Sequence, residues 1–273
     1  MKILYLNSNG FFGNSSKWKI MKENMKKVDK VRIKQKNGIY PDCSNKIVEE
    51  INEIQKIEGE FEFIFLSEID PKSSATDNFM TSMNKKYELL LPRDKKLEEL
   101  AGSSCTICLK RKDINYTNLN NGFTKDDYLQ ICKIIEKNGD TVLMGIHWAA
   151  EISYWKREEE FVQSFLRLIS HDDTKEILLF GDLNANPDVK FKDPEKNVGK
   201  YITNCLIEYV MKCSGLEEVN SDSDLGTTSW GTRIDRVFTN IPREKVNVRV
   251  QTSFLKNECS DHAGLIIQLD EEK

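Results

Sequence analysis

The stretch ILLFGDLNANPD, residues 177–188, decides how this chain is read. Four apolar residues, Ile177 to Phe180, give way at Gly181 to Asp182, Asn184, Asn186 and Asp188. A short apolar run bounded by turn residues is the pattern of a buried strand. Side chains two apart on a strand share a face. Asp182 and Asn184 are therefore expected to aim a carboxylate and an amide at one ligand.

Working outward, the same pattern recurs. KILYLN (2–7) reads as a strand ending in Asn7, FEFIFLSE (61–68) as a strand ending in Glu68, and SCTICLKR (104–111) as a further strand. Asn138-Gly139 inside YLQICKIIEKNGDTVLMGIHW (128–148) predicts a hairpin whose second strand ends at His147. TRIDRVFTN (232–240), carrying Asp235, VNVRVQTSF (246–254) and AGLIIQL (263–269) complete the strands, the last preceded by Asp261 and His262. Helices are expected over 14–30, 44–57 with Ser44 as cap, 158–170 and 201–213. Strands, hairpins and helices mixed in this way predict an α/β protein with mixed sheets. Strand ends of a sandwich converge at one rim. Carboxylates, amides and imidazoles gathered there suit a hard divalent cation and a phosphoryl group. Only three histidines occur, at 147, 171 and 262, and two of them fall in these stretches. His171 sits in a polar turn and reads as surface.

Composition excludes other classes. Charged residues make up 31% of the 273 and no apolar run reaches membrane-spanning length. The N-terminus has no long apolar segment with a small-residue cleavage site, so a cytoplasmic protein without stable membrane association is expected. Seven cysteines, an odd number, suit reduced thiols. Cys105 and Cys108 have C-x-x-C spacing, but on a strand they point to opposite faces, which disfavours a zinc site. The net charge of −4 gives no global nucleic-acid signature. Residues 17–36 nonetheless hold nine Lys or Arg and only two acids, a solvated helix face or a phosphate-tracking patch.

Six short stretches, in this order, carry a resemblance: LNSNG, FLSE, GIHW, GDLNANP, TSWGTRIDRVF and CSDHAG. Together they span nearly the whole chain, which resembles the endonuclease/exonuclease/phosphatase superfamily with its DNase-I-like fold. The resemblance implies one domain over 1–273, a four-layer α/β/β/α sandwich of two mixed sheets with outer helices, and a lysine-rich insertion at about 11–43. It also implies hydrolysis of phosphate esters with Mg²⁺ or Mn²⁺. Asn7, Glu68 and Asp261 would hold the metal. His147, Asp182, Asn184, Asp235 and His262 would be catalytic. Asp182 would orient or deprotonate water, Asn184 would bond the phosphoryl group, and His262, its tautomer fixed by Asp235, would face the scissile phosphate. Asn9, Trp148, Trp230 and Arg233 would contact substrate, the two indoles by stacking on a base if they are not core.

The chain departs from the family pattern at Leu6, where Trp is frequent, at Ser67, where Gln often precedes the Glu, and at Arg236, where an aromatic often follows the Asp. His147 resembles the DNase-I, sphingomyelinase, inositol-phosphatase and deadenylase branches and disfavours abasic-site repair. The leading expectation is a metal-dependent nuclease or nucleotide phosphodiesterase with a nucleic acid or nucleotide substrate. The alternative is a phosphatase or phosphodiesterase acting on a small molecule or lipid headgroup, of the inositol phosphate or sphingomyelin type. A non-catalytic binding protein is disfavoured because the Glu, Gly-Asp-x-Asn and Ser-Asp-His are all present. No protein partner is inferred.

Overall fold

Two-residue alternation builds the centre of the molecule. In the computed structural model, which describes residues 1–13, 41–90, 97, 105–114, 129–135, 141–148, 166, 175–187, 194–219, 221 and 225–270, strand β1 (Lys2–Asn7) sends Ile3 and Tyr5 to one buried cluster and Leu4 and Leu6 to another. Strand β2 (Phe63–Ile69) divides Phe63 and Phe65 from Ile64 and Leu66 in the same way. Both faces of these strands are covered, so they read as near-continuous apolar runs.

The first sheet runs β10 (Val246–Gln251), β11 (Gly264–Leu269), β1, β2, β4 (Cys105–Arg111), β3 (Tyr87–Leu90). The second runs β5 (Leu129–Ile135), β6 (Thr141–Trp148), β7 (Glu176–Asp182), β9 (Asp235–Thr239), β8 (Glu217–Glu218). Pairs β1–β2 and β6–β7 are parallel, and the remaining pairs are antiparallel, so both sheets are mixed. Between the sheets Tyr5, Phe63, Phe65, Leu265 and Ile267 meet Leu143, Leu178, Phe180 and Val237. Phe65 and Phe180 touch edge to face at 4.8 Å. Gly145 lets the sheets approach there, since a Cβ on it would lie 2.4 Å from Phe65 Cδ1.

Helices α1 (Ser44–Glu58) and α2 (Ser74–Met83) cover the outside of the first sheet through Ile47, Ile51, Ile54, Phe79 and Met83. Helix α3 (Pro194–Cys213) covers the second through Ile207, Val210 and Met211. The result is the expected four-layer α/β/β/α sandwich with a DNase-I-like architecture. Cys105 joins the outer cluster and Cys108 the inter-sheet one, so the C-x-x-C pair does point to opposite faces.

Boundaries differ from expectation where side chains capture backbone. Ser44 is not the cap of α1 but lies inside it, and Asp42 Oδ1 accepts the Ser44 N–H at 2.9 Å. Helix α2 was not expected. Its run of Ser, Thr, Asp and Asn looks like a loop, but Ser73 Oγ caps it by accepting the Thr76 N–H and Ala75, Phe79 and Met83 bury one face. Helix α3 begins earlier than expected, at Pro194, where the missing N–H is harmless. Strand β9 starts only at Asp235, because Thr227 Oγ1 takes the N–H groups of Ile234 and Asp235. The expected strand 246–254 stops at Gln251 and turns into a short helix, α4 (Ser253–Lys256). The helices expected over 14–30 and, apart from Leu166, 158–170 lie outside the described residues, as do His171 and most of the lysine-rich stretch. Among the described residues no helix is long and apolar enough to cross a membrane.

Candidate active site

The second sheet delivers three groups in one row. His147 of β6 is registered opposite Asp182 of β7, and Asp182 opposite Asp235 of β9. All three continue the face that carries Leu143, Leu178, Phe180 and Val237, so regular alternation points them between the sheets. Asp182 and Asp235 are almost fully buried. His147 Nε2 lies 3.8 Å from Asp182 Oδ2.

The first sheet contributes Asn7 and Glu68, and only one of them follows alternation. Asn7 is registered with Ser67, not with Glu68. Between Leu66 and Ile69 the register against β4 shifts, and Glu68 takes φ +56°, the left-handed region. This bulge re-aims the Glu68 carboxylate from the helix side toward the site. Asn7 Nδ2 then donates to Glu68 Oε1 at 3.2 Å and to Asp182 Oδ2 at 2.9 Å, joining the two sheets. His147 Nε2 approaches Glu68 Oε1 to 3.2 Å.

Two loops close the cluster. Ser260 Oγ donates to the Asn7 carbonyl at 2.7 Å and accepts the His262 N–H at 3.1 Å, tying the loop before β11 to β1. Thr228 bridges to His262, and the Ser229 N–H donates to the Asp261 carbonyl at 2.8 Å. His262 Nδ1 thereby meets Asp235 Oδ2 at 2.9 Å, and its Nε2 faces Asp182 Oδ2 at 3.8 Å.

Charge and burial set the protonation of this cluster. Burial and the Asp235 charge push the Asp182 carboxyl up to about 6, although His262, His147 and the Asn184 N–H oppose them. Burial pulls His262 down, but the charge and hydrogen bond of Asp235, with the charges of Asp182 and Asp261, outweigh it and push the imidazole up to about 10. His147 is raised as well: burial opposes, and Glu68 and Asp182 win. Buried, mutually perturbed acids and bases of this kind cluster at functional sites.

The donor set fits a divalent cation. Glu68, His147 and Asp182 each offer a ligand atom within 4.8 Å of the others, and Asp182, Asp235 and His262 form a second such triple. Buried His147 Nε2 and Asp235 Oδ1 have no hydrogen-bond partner among the described residues. In the second triple His262 Nδ1 is already committed to Asp235, so the first is the better cation site. Asp261 belongs to neither triple.

The remaining expected residues are spread more widely. Asn184 lies beyond β7 at φ +51°, so it reaches Asp182 by a turn rather than by strand alternation. Its N–H donates to Asp182 Oδ1 at 2.7 Å and its Nδ2 to the Trp148 carbonyl at 2.5 Å. Asn9 is buried and donates from Nδ2 to the Gly13 carbonyl at 3.1 Å, which shapes the loop after β1. Trp148 is 1% exposed and packs beneath α3 with Ile146, Ile177 and Leu179. Its indole offers no face to a base, which corrects the stacking expectation. Trp230 is 56% exposed on the turn bound to the His262 loop. Arg233 Nη1 donates to Glu218 Oε1 at 2.6 Å and shares that carboxylate with the buried Arg236. Sequence reasoning missed Ser260 and Thr227, which hold the loops, and Tyr5, which touches the Asp182 backbone. For Tyr5 a signal existed: it lies two residues before Asn7 and so on the same strand face.

No protein-family model matches the chain, and no curated protein matches it. Solved structures do. The 3′–5′ exonuclease NExo from Neisseria meningitidis superposes with a TM-score of 0.62 at 14% identity, over 99% of this chain and 100% of that one. The endonuclease domain of TRAS1, a telomere-specific non-LTR retrotransposon, gives 0.60 at 12% identity over 100% and 99%. The human Nocturnin catalytic domain, with a bound sulfate, gives 0.57 at 15% identity over 99% and 93%. At these identities the likeness shows a shared fold, that of the DNase-I-like endonucleases, exonucleases and phosphatases.

Proposed function

We propose that this chain is a divalent-metal-dependent phosphodiesterase acting on nucleic acid or nucleotides, with Mg²⁺ or Mn²⁺ as cofactor. One observation carries the reading: Asp182 Oδ2 sits 3.8 Å from both His147 Nε2 and His262 Nε2, beside a Glu68 that a strained bulge turns inward. Glu68 would hold the cation, with His147 as a second ligand once the cation displaces its proton, and the cation's charge would offset that of a phosphoryl oxygen and its leaving group. Asp261 would act by charge on His262 from outside that ligand set.

The chain's own residues supply the rest. Asp182, with a carboxyl pushed up to about 6, is mostly ionised at neutral pH yet basic enough to take a proton from water. The Asn7 amide keeps its carboxylate aligned with Glu68. Asp235 holds His262 as an imidazolium whose Nε2 side faces Asp182, where it would stabilise charge on the phosphoryl oxygens and supply a proton to the departing oxygen. Asn184 keeps one amide hydrogen for a phosphoryl oxygen after its bond to Trp148. Trp230, exposed on the turn that clasps the His262 loop, would stack on a base next to the scissile phosphate, and this favours a nucleotide-bearing ester over an inositol phosphate or lipid headgroup.

The test is hydrolysis of single- and double-stranded DNA, RNA, a cyclic dinucleotide, an inositol phosphate and sphingomyelin with Mg²⁺ or Mn²⁺. Glu68→Ala and His262→Ala run in parallel. Cleavage of a polynucleotide or nucleotide, lost in both variants and in chelator, supports the proposal. Turnover of only the inositol phosphate or sphingomyelin refutes the substrate assignment. Absence of Glu68-dependent Mn²⁺ binding refutes the site.

A further inference from the structure

Strand β1 sends a second polar group toward the site. Tyr5 is fully buried between the sheets, and its hydroxyl sits where the inter-sheet core meets the Asp182 cluster. That oxygen accepts the Asp182 N–H at 2.8 Å and lies 3.5 Å from the Ile146 carbonyl of the neighbouring strand. Its own proton goes to Ser67 Oγ at 3.1 Å, and Ser67 Oγ is 2.9 Å from Thr106 Oγ1. A relay across β1, β2 and β4 of the first sheet thus ends on one amide of β7 in the second.

Strand β7 needs such a hold at this point. Gly181 has φ +150°, and a Cβ there would lie 1.9 Å from the Ile146 carbonyl oxygen, so β7 comes this close to β6 only with a glycine one residue before Asp182. The Asp182 N–H that follows is met by a side-chain acceptor from the opposite sheet. A buried N–H without an acceptor is strongly disfavoured. The oxygen that receives it therefore determines where the Asp182 backbone, and so its carboxylate, comes to rest.

We propose that Tyr5 is a positioning residue for Asp182, acting through the Asp182 amide and anchored by Ser67. It touches none of the reacting groups. It holds the carboxylate at the spacing it keeps from Asn7, His147 and His262. The relay runs through the Ser67 hydroxyl, which links the Tyr5 hydroxyl to Thr106. This proposal rests on the reading of Asp182 as the base.

Tyr5→Phe keeps the ring in the core and removes only the acceptor. Two readouts apply to the whole chain: kcat and KM on whichever substrate the wild type cleaves, and hydrogen exchange of the Asp182 amide in metal-free protein. The expected result is a kcat lower on the order of 10- to 100-fold with KM little changed. Exchange should quicken at Asp182 while the amides of Leu178 and Leu179 on the same strand stay protected. Should Tyr5→Phe not fold, Ser67→Ala leaves the tyrosine in place, unanchors its hydroxyl and should shift both readouts in the same direction by less. Unchanged kcat with unchanged Asp182 exchange overturns the proposal. So does an exchange increase spread evenly over β7 with kcat and KM altered together, which is what loss of packing alone would give. If the wild type cleaves nothing, the functional reading fails, and the exchange pattern alone then decides whether Tyr5 holds Asp182.

Discussion

The two sheets build their halves of the site by different means. The second lays His147, Asp182 and Asp235 side by side in register, each on the face that alternation dictates. The first places Asn7 by alternation but brings in Glu68 by a register shift and a left-handed residue. Regular strand geometry costs nothing extra to maintain. A non-glycine residue at positive φ does, by about 1–2 kcal/mol. That strain persists only because the surrounding structure holds it, a pattern typical of functional sites. The second sheet carries a different burden, the burial of two carboxylates close together, and relieves it with the imidazoles of His147 and His262.

The largest expected effect tests that second burden. Asp182→Asn should lower kcat by about 10²- to 10⁴-fold, the usual contribution of a general base. It should also stabilise the metal-free protein at alkaline pH. The folded-state value near 6 lies above the ordinary 3.8, so the folded chain binds the extra proton. The stability contributed by that proton is present below about 3.8 and is lost as pH rises to about 6. Above that window the wild type carries an unfavourable buried carboxylate that the amide variant lacks. Thermal melts in chelator at pH 8 should therefore show a higher Tm for Asp182→Asn than for the wild type. A lower one would mean that the histidine charges more than offset the burial.

His262 should act in a second, higher window. Its folded-state value near 10 exceeds the ordinary 6.5, so its contribution is complete below 6.5 and disappears as pH rises through about 10. In chelator the wild-type Tm should fall across that range. Asp235→Asn removes the main partner and should flatten the fall. Equal slopes for the two proteins would show that Asp235 is not what holds the imidazolium.

The same contrast explains what was legible in the sequence. Strands β6, β7 and β9 carry their polar residues in phase with their apolar ones, so His147, Asp182 and Asp235 could be placed from the alternation alone. The hairpin over 128–148 followed from Asn138-Gly139, and β5 and β6 do pair antiparallel. The bulge at Glu68 had no local signal: strict alternation in FIFLSE puts Glu68 on the helix side, and only the family resemblance suggested otherwise. Trp148 shows the reverse case. It adjoins a site residue in sequence, and the two-residue period sends it to the opposite face, beneath α3. Asn184 was given the right neighbour by the wrong geometry, since a turn and not the strand brings it to Asp182. Helix α2 stayed hidden because its Ser, Thr, Asp and Asn residues favour turns until tertiary packing buries Phe79 and Met83.

The smallest expected effect bears on the first sheet. Glu68→Gly removes the carboxylate and with it the left-handed penalty, because glycine adopts positive φ without steric cost. Metal-free protein should therefore gain stability of roughly 1 kcal/mol from the relieved backbone, reduced by the greater flexibility of the unfolded glycine chain. Glu68→Ala loses the same carboxylate and keeps the penalty, so it isolates the backbone part. If the bulge is strained, Glu68→Gly melts above Glu68→Ala in chelator, while both fail to bind Mn²⁺. If the two variants melt together, the bulge is relaxed by its neighbours. The Ser67 hydrogen bonds to Ser8, where the Ser67 carbonyl accepts both the N–H at 3.0 Å and the hydroxyl at 2.9 Å, would then account for the turn without stored strain.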